Sequence, residues 1–138
     1  MSAGDLLATS GQIGIADGAL VEGGMPTQFV QALTNLKEVL ESAGASMSDV
    51  IKTTVFLVDM DDYVEMNEIY CEAFGDHRPA RSAVAVAALP LGARIEIEAW
   101  AQQRGWRETA SPQVSGSPPS RVGTRIGDSW NAAGRRVS

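Results

Sequence analysis

The segment RPARSAVAVAALPLGARIEIEAW, residues 78–100, holds the most pointed chemistry in the chain. Arg81 stands at the mouth of an apolar strand, and Glu96 and Glu98 alternate with apolar residues near the segment's end. A permanent cation in such a place costs desolvation unless something negative meets it. That partner is either a neighbouring carboxylate or an anionic ligand. A guanidinium fork grips a ligand carboxylate through two parallel charge-assisted hydrogen bonds, fixing its plane as well as its position. A glutamate such as Glu96 can orient a water and relay its proton. The structural alternatives are an intersubunit ion pair for Arg81 and a solvated strand position for Glu96.

Other chemistries find little support. Cysteine and histidine occur once each, as Cys71 and His77, so an intrachain disulfide is excluded and a zinc site lacks ligands. Cys71 falls in a helical pattern and reads as a buried structural thiol. His77 falls in the turn GDHRP and reads as a solvated loop residue. EGGM lacks the lysine and the spacing of a phosphate-cradling loop. No metal or cofactor is expected.

Charge divides the chain. Residues 1–102 carry 5 Lys/Arg against 15 Asp/Glu, whereas residues 103–138 carry 6 Arg against 2 acids. An acidic body repels phosphate backbones, which disfavours a dedicated nucleic-acid binder. From residue 111 onward the chain is rich in Ser, Gly, Pro and Arg, and lacks apolar periodicity. The expected division is an α+β domain over 1–102 and a disordered tail over 103–138. No apolar run is long enough to span a bilayer, and the start lacks the features of a secretion signal, so a cytoplasmic protein is expected.

The elements that must position these residues are legible in outline. LLATSGQIGI reads as a strand with a bend at Gly11, and the Asp-Gly pair in ADGAL as a turn. Phe29, Leu33, Leu36, Leu40 and Ala43 recur at helical spacing between Pro26, an entry residue, and Gly44, a stop. DVIKTTVFLVD is apolar on both faces, as an interior strand is. DDYVEMNEIYCEAFG reads as a second helix capped by Asp61, with Tyr63, Met66, Ile69, Tyr70 and Ala73 toward one side and Gly75 at its end. Two strands follow, over about residues 82–88 and 94–101. The predicted order is β(β)-α-β-α-β-β, an α+β sandwich with two helices on one sheet face.

Alternation then assigns faces. Val84 and Val86, with Ile95 and Ile97, are expected under the helices. Arg81, Ala83, Glu96 and Glu98 are expected on the open face. Such a face needs a cover, and a second copy of the chain supplies one, which implies a homo-oligomer. If the last two strands form a simple hairpin, Glu96 lies on the order of 16 Å from Arg81. Joint action then requires different pairing or a site completed by a neighbouring subunit, and the second is favoured.

Three stretches carry a family resemblance: SGQI at residues 10–13, QALTNLKEVLESAGASMSDVIKTTVFLVDMDDYVEMNEIY, and RPARSAVAVAALPLGARIEIEAWA. In order and spacing, residues 4–102 resemble the RidA/YjgF family of enamine/imine deaminases. The resemblance implies a chorismate-mutase-like fold, assembled as a homotrimer around a central β-barrel with clefts between subunits. It implies hydrolysis of 2-imino acids or their enamine tautomers, of the 2-iminobutyrate and 2-iminopropionate type, to 2-keto acids and ammonia. Arg81 matches the family's carboxylate-binding arginine, and the main-chain N–H of Ala83 a second carboxylate contact. Glu96 matches the acid associated with the hydrolytic water, while Ser10 and Asn67 match residues lining the cleft. The resemblance also implies a segment like IGPYSQA, with a cleft tyrosine, ahead of the region matched here. The expectation is therefore a sheet that starts at the family's second strand, with an unpaired edge. Two other functions stay open: a non-catalytic trimer binding 2-keto acids, and the ribonuclease activity reported for some relatives.

Overall fold

The computed structural model describes residues 1–103. The chain enters as a short hairpin, β1 (Ser2–Ala3) paired with β2 (Leu6–Ala8). Beyond Ala8 it bends at Ser10 and Gly11, then rejoins the sheet where Gln12 and Ile97 exchange backbone hydrogen bonds of 2.7 and 3.0 Å. A second hairpin joins β3 (Ile15–Ala16) to β4 (Ala19–Leu20) through Asp17 and Gly18, at φ 54° and 79°. Positive φ at both central residues is what the Asp-Gly pair supplies.

Helix α1 (Gly24–Ser42) buries Phe29, Leu33, Leu36 and Leu40 of the predicted stripe, while Ala43 is its partly buried C-cap. It stops where the sequence said it would. Gly44 adopts φ +83°, its N–H donates to Glu41 O, and the Ala45 N–H reaches back to Leu40 O. Those two bonds satisfy carbonyls the helix end would otherwise leave open. Strand β5 (Val50–Leu57) follows, then α2 (Tyr63–Phe74), β6 (Ala80–Ala85) and β7 (Ile95–Gln102). Asp61 does not cap α2. Its N–H is instead taken by the Asp59 carboxylate, while Asp62 pairs with Arg94 at 3.0 Å.

The main sheet runs β1-β2-β7-β5-β6, with β5 antiparallel to β7 and parallel to β6. A parallel pair needs a crossover, and α2 is that crossover. Both helices lie on one face, and between helices and sheet sit Phe29, Leu36, Met66, Val55, Leu57, Ile95 and Ile97, all fully or almost fully buried. Each contributes on the order of 1.5–3 kcal/mol by leaving water. The architecture is thus the expected α+β mixed sheet with two helices on one face.

Two expectations are corrected. The last two strands do not form a hairpin, because β5 lies between them. Alternation in β6 is also opposite to the expectation: Arg81 and Ala83 face the helices, while Val84 is 41% exposed on the open face. The register is decisive, since Thr53, Arg81 and Ala99 stand in one row and Thr53 and Ala99 are buried beneath the helices. In β7 the assignment holds: Ile95 and Ile97 are buried, whereas Glu96 and Glu98 face outward.

His77 is partly buried, its Nε2 donating to Val50 O at 2.6 Å, rather than being a free loop residue. Gln103 joins the body through its N–H to Asp5 O and its amide to Ala43 O. Of the tail predicted over 103–138, Gln103 thus belongs to the body and the rest lies outside the described residues. At the other end β1 occupies the edge beyond β2, so the edge expected there falls one strand further out.

Candidate functional site

Arg81 sits on β6, the last strand of the sheet, with its side chain under α2. Helical geometry prepares its surroundings, since positions 63, 67 and 70 lie on one stripe of α2. All three meet the guanidinium. Nη1 donates to Asn67 Oδ1 at 2.7 Å, and Nη2 donates to the Tyr63 hydroxyl at 2.8 Å. The Tyr70 ring lies under it, 4.6 Å from Cζ, and the Tyr63 ring stands at 5.6 Å. A ring face beneath a guanidinium attracts it by roughly 0.5–2 kcal/mol, more as water is excluded.

Tyr70 is itself pinned. Its hydroxyl shares a buried 2.8 Å hydrogen bond with Thr53 Oγ1, the residue in register with Arg81 on the neighbouring strand. Burial, above all, pushes the Tyr70 phenol up, outweighing the Thr53 bond and the Arg81 charge, so the ring stays neutral. Beside Asn67, the half-buried Cys71 sulfur stands 3.9 Å from Asn67 Oδ1.

This answers the question that Arg81 poses. Every group holding it is neutral, and among the described residues the only ion pair within salt-bridge distance is Arg94–Asp62. The fork is oriented by two acceptors and a ring face, yet no carboxylate among the described residues compensates its charge. Of its five N–H groups, two are engaged by side chains among the described residues.

The strand edge adds another donor. The Val86 N–H donates to Leu57 O on β5, so alternation turns the N–H groups of Ser82 and Val84 the same way. The N–H groups of Arg81, Ala83 and Ala85 then point away from β5, at the free edge. Ala83 thus offers its main-chain N–H two residues from the guanidinium.

Glu96 belongs to a different surface. It stands in the row Val84–Phe56–Glu96 on the open face, next to the row Ser82–Thr54–Glu98. The bend at Gly11 is shaped around it: a Cβ at Gly11 would lie 2.6 Å from the Glu96 carboxyl carbon. Partial burial first, and the Glu98 charge second, hold the Glu96 carboxyl above the usual carboxylate range. Ser10, exposed beside Gly11, accepts a hydrogen bond from the Gln12 amide on its carbonyl at 3.2 Å.

The candidate residues therefore fall into two groups. Arg81, Asn67 and Ala83 come together at the β6 edge under α2, and Glu96 stands on the open face against the bend at Gly11, next to which Ser10 is exposed. Two strands across and three residues along separate Arg81 from Glu96, roughly 14 Å between Cα atoms, on opposite faces. Sequence reading missed Tyr63 and Tyr70 as partners of the arginine, assigning both to the core side of α2. The i, i+4, i+7 spacing of Tyr63, Asn67 and Tyr70 was the available signal.

Comparison with known proteins bears on this arrangement. The Endoribonuclease L-PSP family model matches residues 1–103. The human 2-iminobutanoate/2-iminopropanoate deaminase is 51% identical over 96 residues, covering 68% of this chain and 70% of the relative. A RutC family protein of Pyrococcus horikoshii is 50% identical over 101 residues, covering 72% of this chain and 80% of the relative. Among solved structures, the YjgF gene product from E. coli superposes with a TM-score of 0.71 at 39% identity, covering 75% of this chain and 85% of that one.

Proposed function

This chain belongs to the Endoribonuclease L-PSP (YjgF/RidA) family, and we propose that it is a hydrolytic deaminase of small 2-imino acids and their enamine tautomers, yielding 2-keto acids and ammonia. The observation that carries the reading is the locked charge of Arg81 at a strand edge, which no carboxylate among the described residues compensates. The name of the human relative, half identical to this chain, supplies the substrate class.

In this reading the Arg81 fork takes the substrate carboxylate, and the outward N–H of Ala83 takes one of its oxygens. Holding the acid end fixes the adjacent C=N carbon where water can reach it. A protonated imine is electrophilic enough to need no covalent nucleophile. Glu96 orients the water and accepts its proton as the oxygen adds to carbon. It then gives that proton to nitrogen, and as the C–N bond breaks and ammonia leaves it takes the proton of the new hydroxyl, so that the carbonyl forms. A carboxyl held above its usual range is suited to the second step, because it retains a donatable proton at a higher pH.

The two groups of residues are too far apart to act within one chain, so the reading includes a homotrimer. A neighbour's open face, bearing Glu96 and Ser10, meets the Arg81 edge of the next subunit. Isolated Phe56, Val84 and Trp100 side chains on that face gain the apolar cover a lone subunit lacks. A small carboxylate-bearing substrate is the partner at each of the three clefts.

The test generates 2-iminobutanoate in situ and follows its decay. Wild-type protein is expected to accelerate hydrolysis, and Arg81→Ala to lose nearly all of that acceleration while remaining folded and trimeric. Equal rates for the two would sink the assignment. Tight 2-keto acid binding with no ammonia release would convert the reading to a non-catalytic binding protein.

A further inference from the structure

We propose that Tyr63 is a ligand-binding residue of this site, donating its phenolic proton to the same carboxylate that Arg81 grips. The inference rests on the reading above and deepens it. A phenol has one O–H to give and lone pairs to receive with, whereas a guanidinium can only donate. The 2.8 Å bond from Arg81 Nη2 to Tyr63 therefore occupies a lone pair and leaves the Tyr63 proton free. Among the described residues none accepts that proton. Tyr70 differs: its hydroxyl is tied to Thr53 in the interior, and only its ring face serves the arginine.

The same bookkeeping orients Asn67. Its Oδ1 must face the guanidinium, since Arg81 donates to it at 2.7 Å, and its Nδ2 points elsewhere. What surrounds the cation is thus a set of acceptors that hold it and, on Tyr63, one spare donor beside it. A cationic ligand group is repelled by such a pairing, and a neutral acceptor gains roughly half as much from it as a charged one. A ligand oxygen carrying negative charge gains two donors of different kinds, one fixed by the other. Tyr63 opens α2, directly after the turn Met60–Asp62, so its position is set by the helix start and not by a long loop.

The experiment uses the full chain, 2-oxobutanoate as the binding probe and in situ 2-iminobutanoate as substrate. Tyr63→Phe removes one oxygen from a partly buried ring and keeps its packing. The expected result is a Kd for 2-oxobutanoate and a KM for the imine raised about ten- to a hundred-fold, the scale of one hydrogen bond to a charged group. Because the carboxylate is bound alike in ground and transition states, kcat stays within a factor of a few. A crystal structure of wild type with 2-oxobutanoate should place a carboxylate oxygen within 3.2 Å of the Tyr63 oxygen, a hydrogen-bond distance. Unchanged Kd and KM in Tyr63→Phe, or a carboxylate on Arg81 but out of reach of Tyr63, overturns the inference and leaves the deaminase reading intact. Wild type that neither binds the keto acid nor hydrolyses the imine overturns both.

Discussion

Substituting Gly11 by alanine tests the role proposed for Glu96 without touching a charged residue. Gly11 is outside the group of glycines with positive φ, so the backbone accepts a Cβ there. The added methyl would lie 2.6 Å from both Cδ and Oε2 of Glu96, and ordinary contact begins at 3.4 Å. The carboxylate must retreat by about 0.8 Å. Glu96 is a flexible, partly buried side chain, so the retreat costs only about 0.5–1.5 kcal/mol as an off-rotamer torsion. Stability should barely move. A reacting group displaced by that much costs roughly a hundred-fold in rate. The assay is steady-state decay of in situ 2-iminobutanoate, with thermal unfolding alongside. The expected outcome is a kcat lowered about a hundred-fold, an unchanged KM and a melting temperature within a few degrees of wild type. Gly11→Ala with full kcat would show that Glu96 does not act from the place this bend reserves for it.

Three further outcomes follow from the same geometry. Mixing Arg81→Ala and Glu96→Gln proteins under subunit exchange should restore activity to roughly one quarter of the clefts, those where an intact arginine meets a neighbour's intact glutamate; no recovery would place the whole site in one chain. Tyr70→Phe leaves the buried Thr53 hydroxyl without a partner and should lower unfolding free energy by about 1–3 kcal/mol in urea titrations, with much of the loss recovered by adding Thr53→Val. Glu96→Gln should stabilise the fold at neutral pH. The native Glu96 carboxyl binds its proton more tightly than the unfolded one, so wild-type stability falls as pH rises from the unfolded value to the higher folded value. The advantage of the variant should therefore shrink toward zero below the ordinary carboxylate range, as urea midpoints at several pH values will report.

Much of this fold was legible because its signals are local. Asp17-Gly18 specified a hairpin turn, Gly44 a helix stop, and the apolar stripe of α1 its buried face. The interior position of β5 could be read from its two-sided apolar character, but not the identity of its neighbours. Pairing is a long-range property, and the adjacency of the last two strands in sequence suggested a hairpin that the parallel β5–β6 pair excludes. The face of Arg81 was misread for a related reason. Val84 is bulkier than Ala83, and on size alone it belongs in a core. At the sheet edge, however, α2 presents two phenols and an amide, which suit a guanidinium better than an aliphatic side chain. Glu96 was legible from strict alternation with two buried isoleucines.

The two halves of the site differ in how far apart in the chain their parts lie. The arginine and everything that clamps it belong to one β-α-β stretch, with hydrogen bonds closing loops of only 14, 17 and 18 residues. The acid end depends on the N-terminal segment closing onto β7, where Thr9 accepts from Ala99 across 90 residues. Short closures cost less entropy and form sooner during folding than long ones. Hydrogen exchange should accordingly find the Gly11 segment opening while β5–α2–β6 remains protected. In the deaminase proposed above, a molecule caught in that partly opened form keeps its grip on an anion after it has lost the means to hydrolyse one.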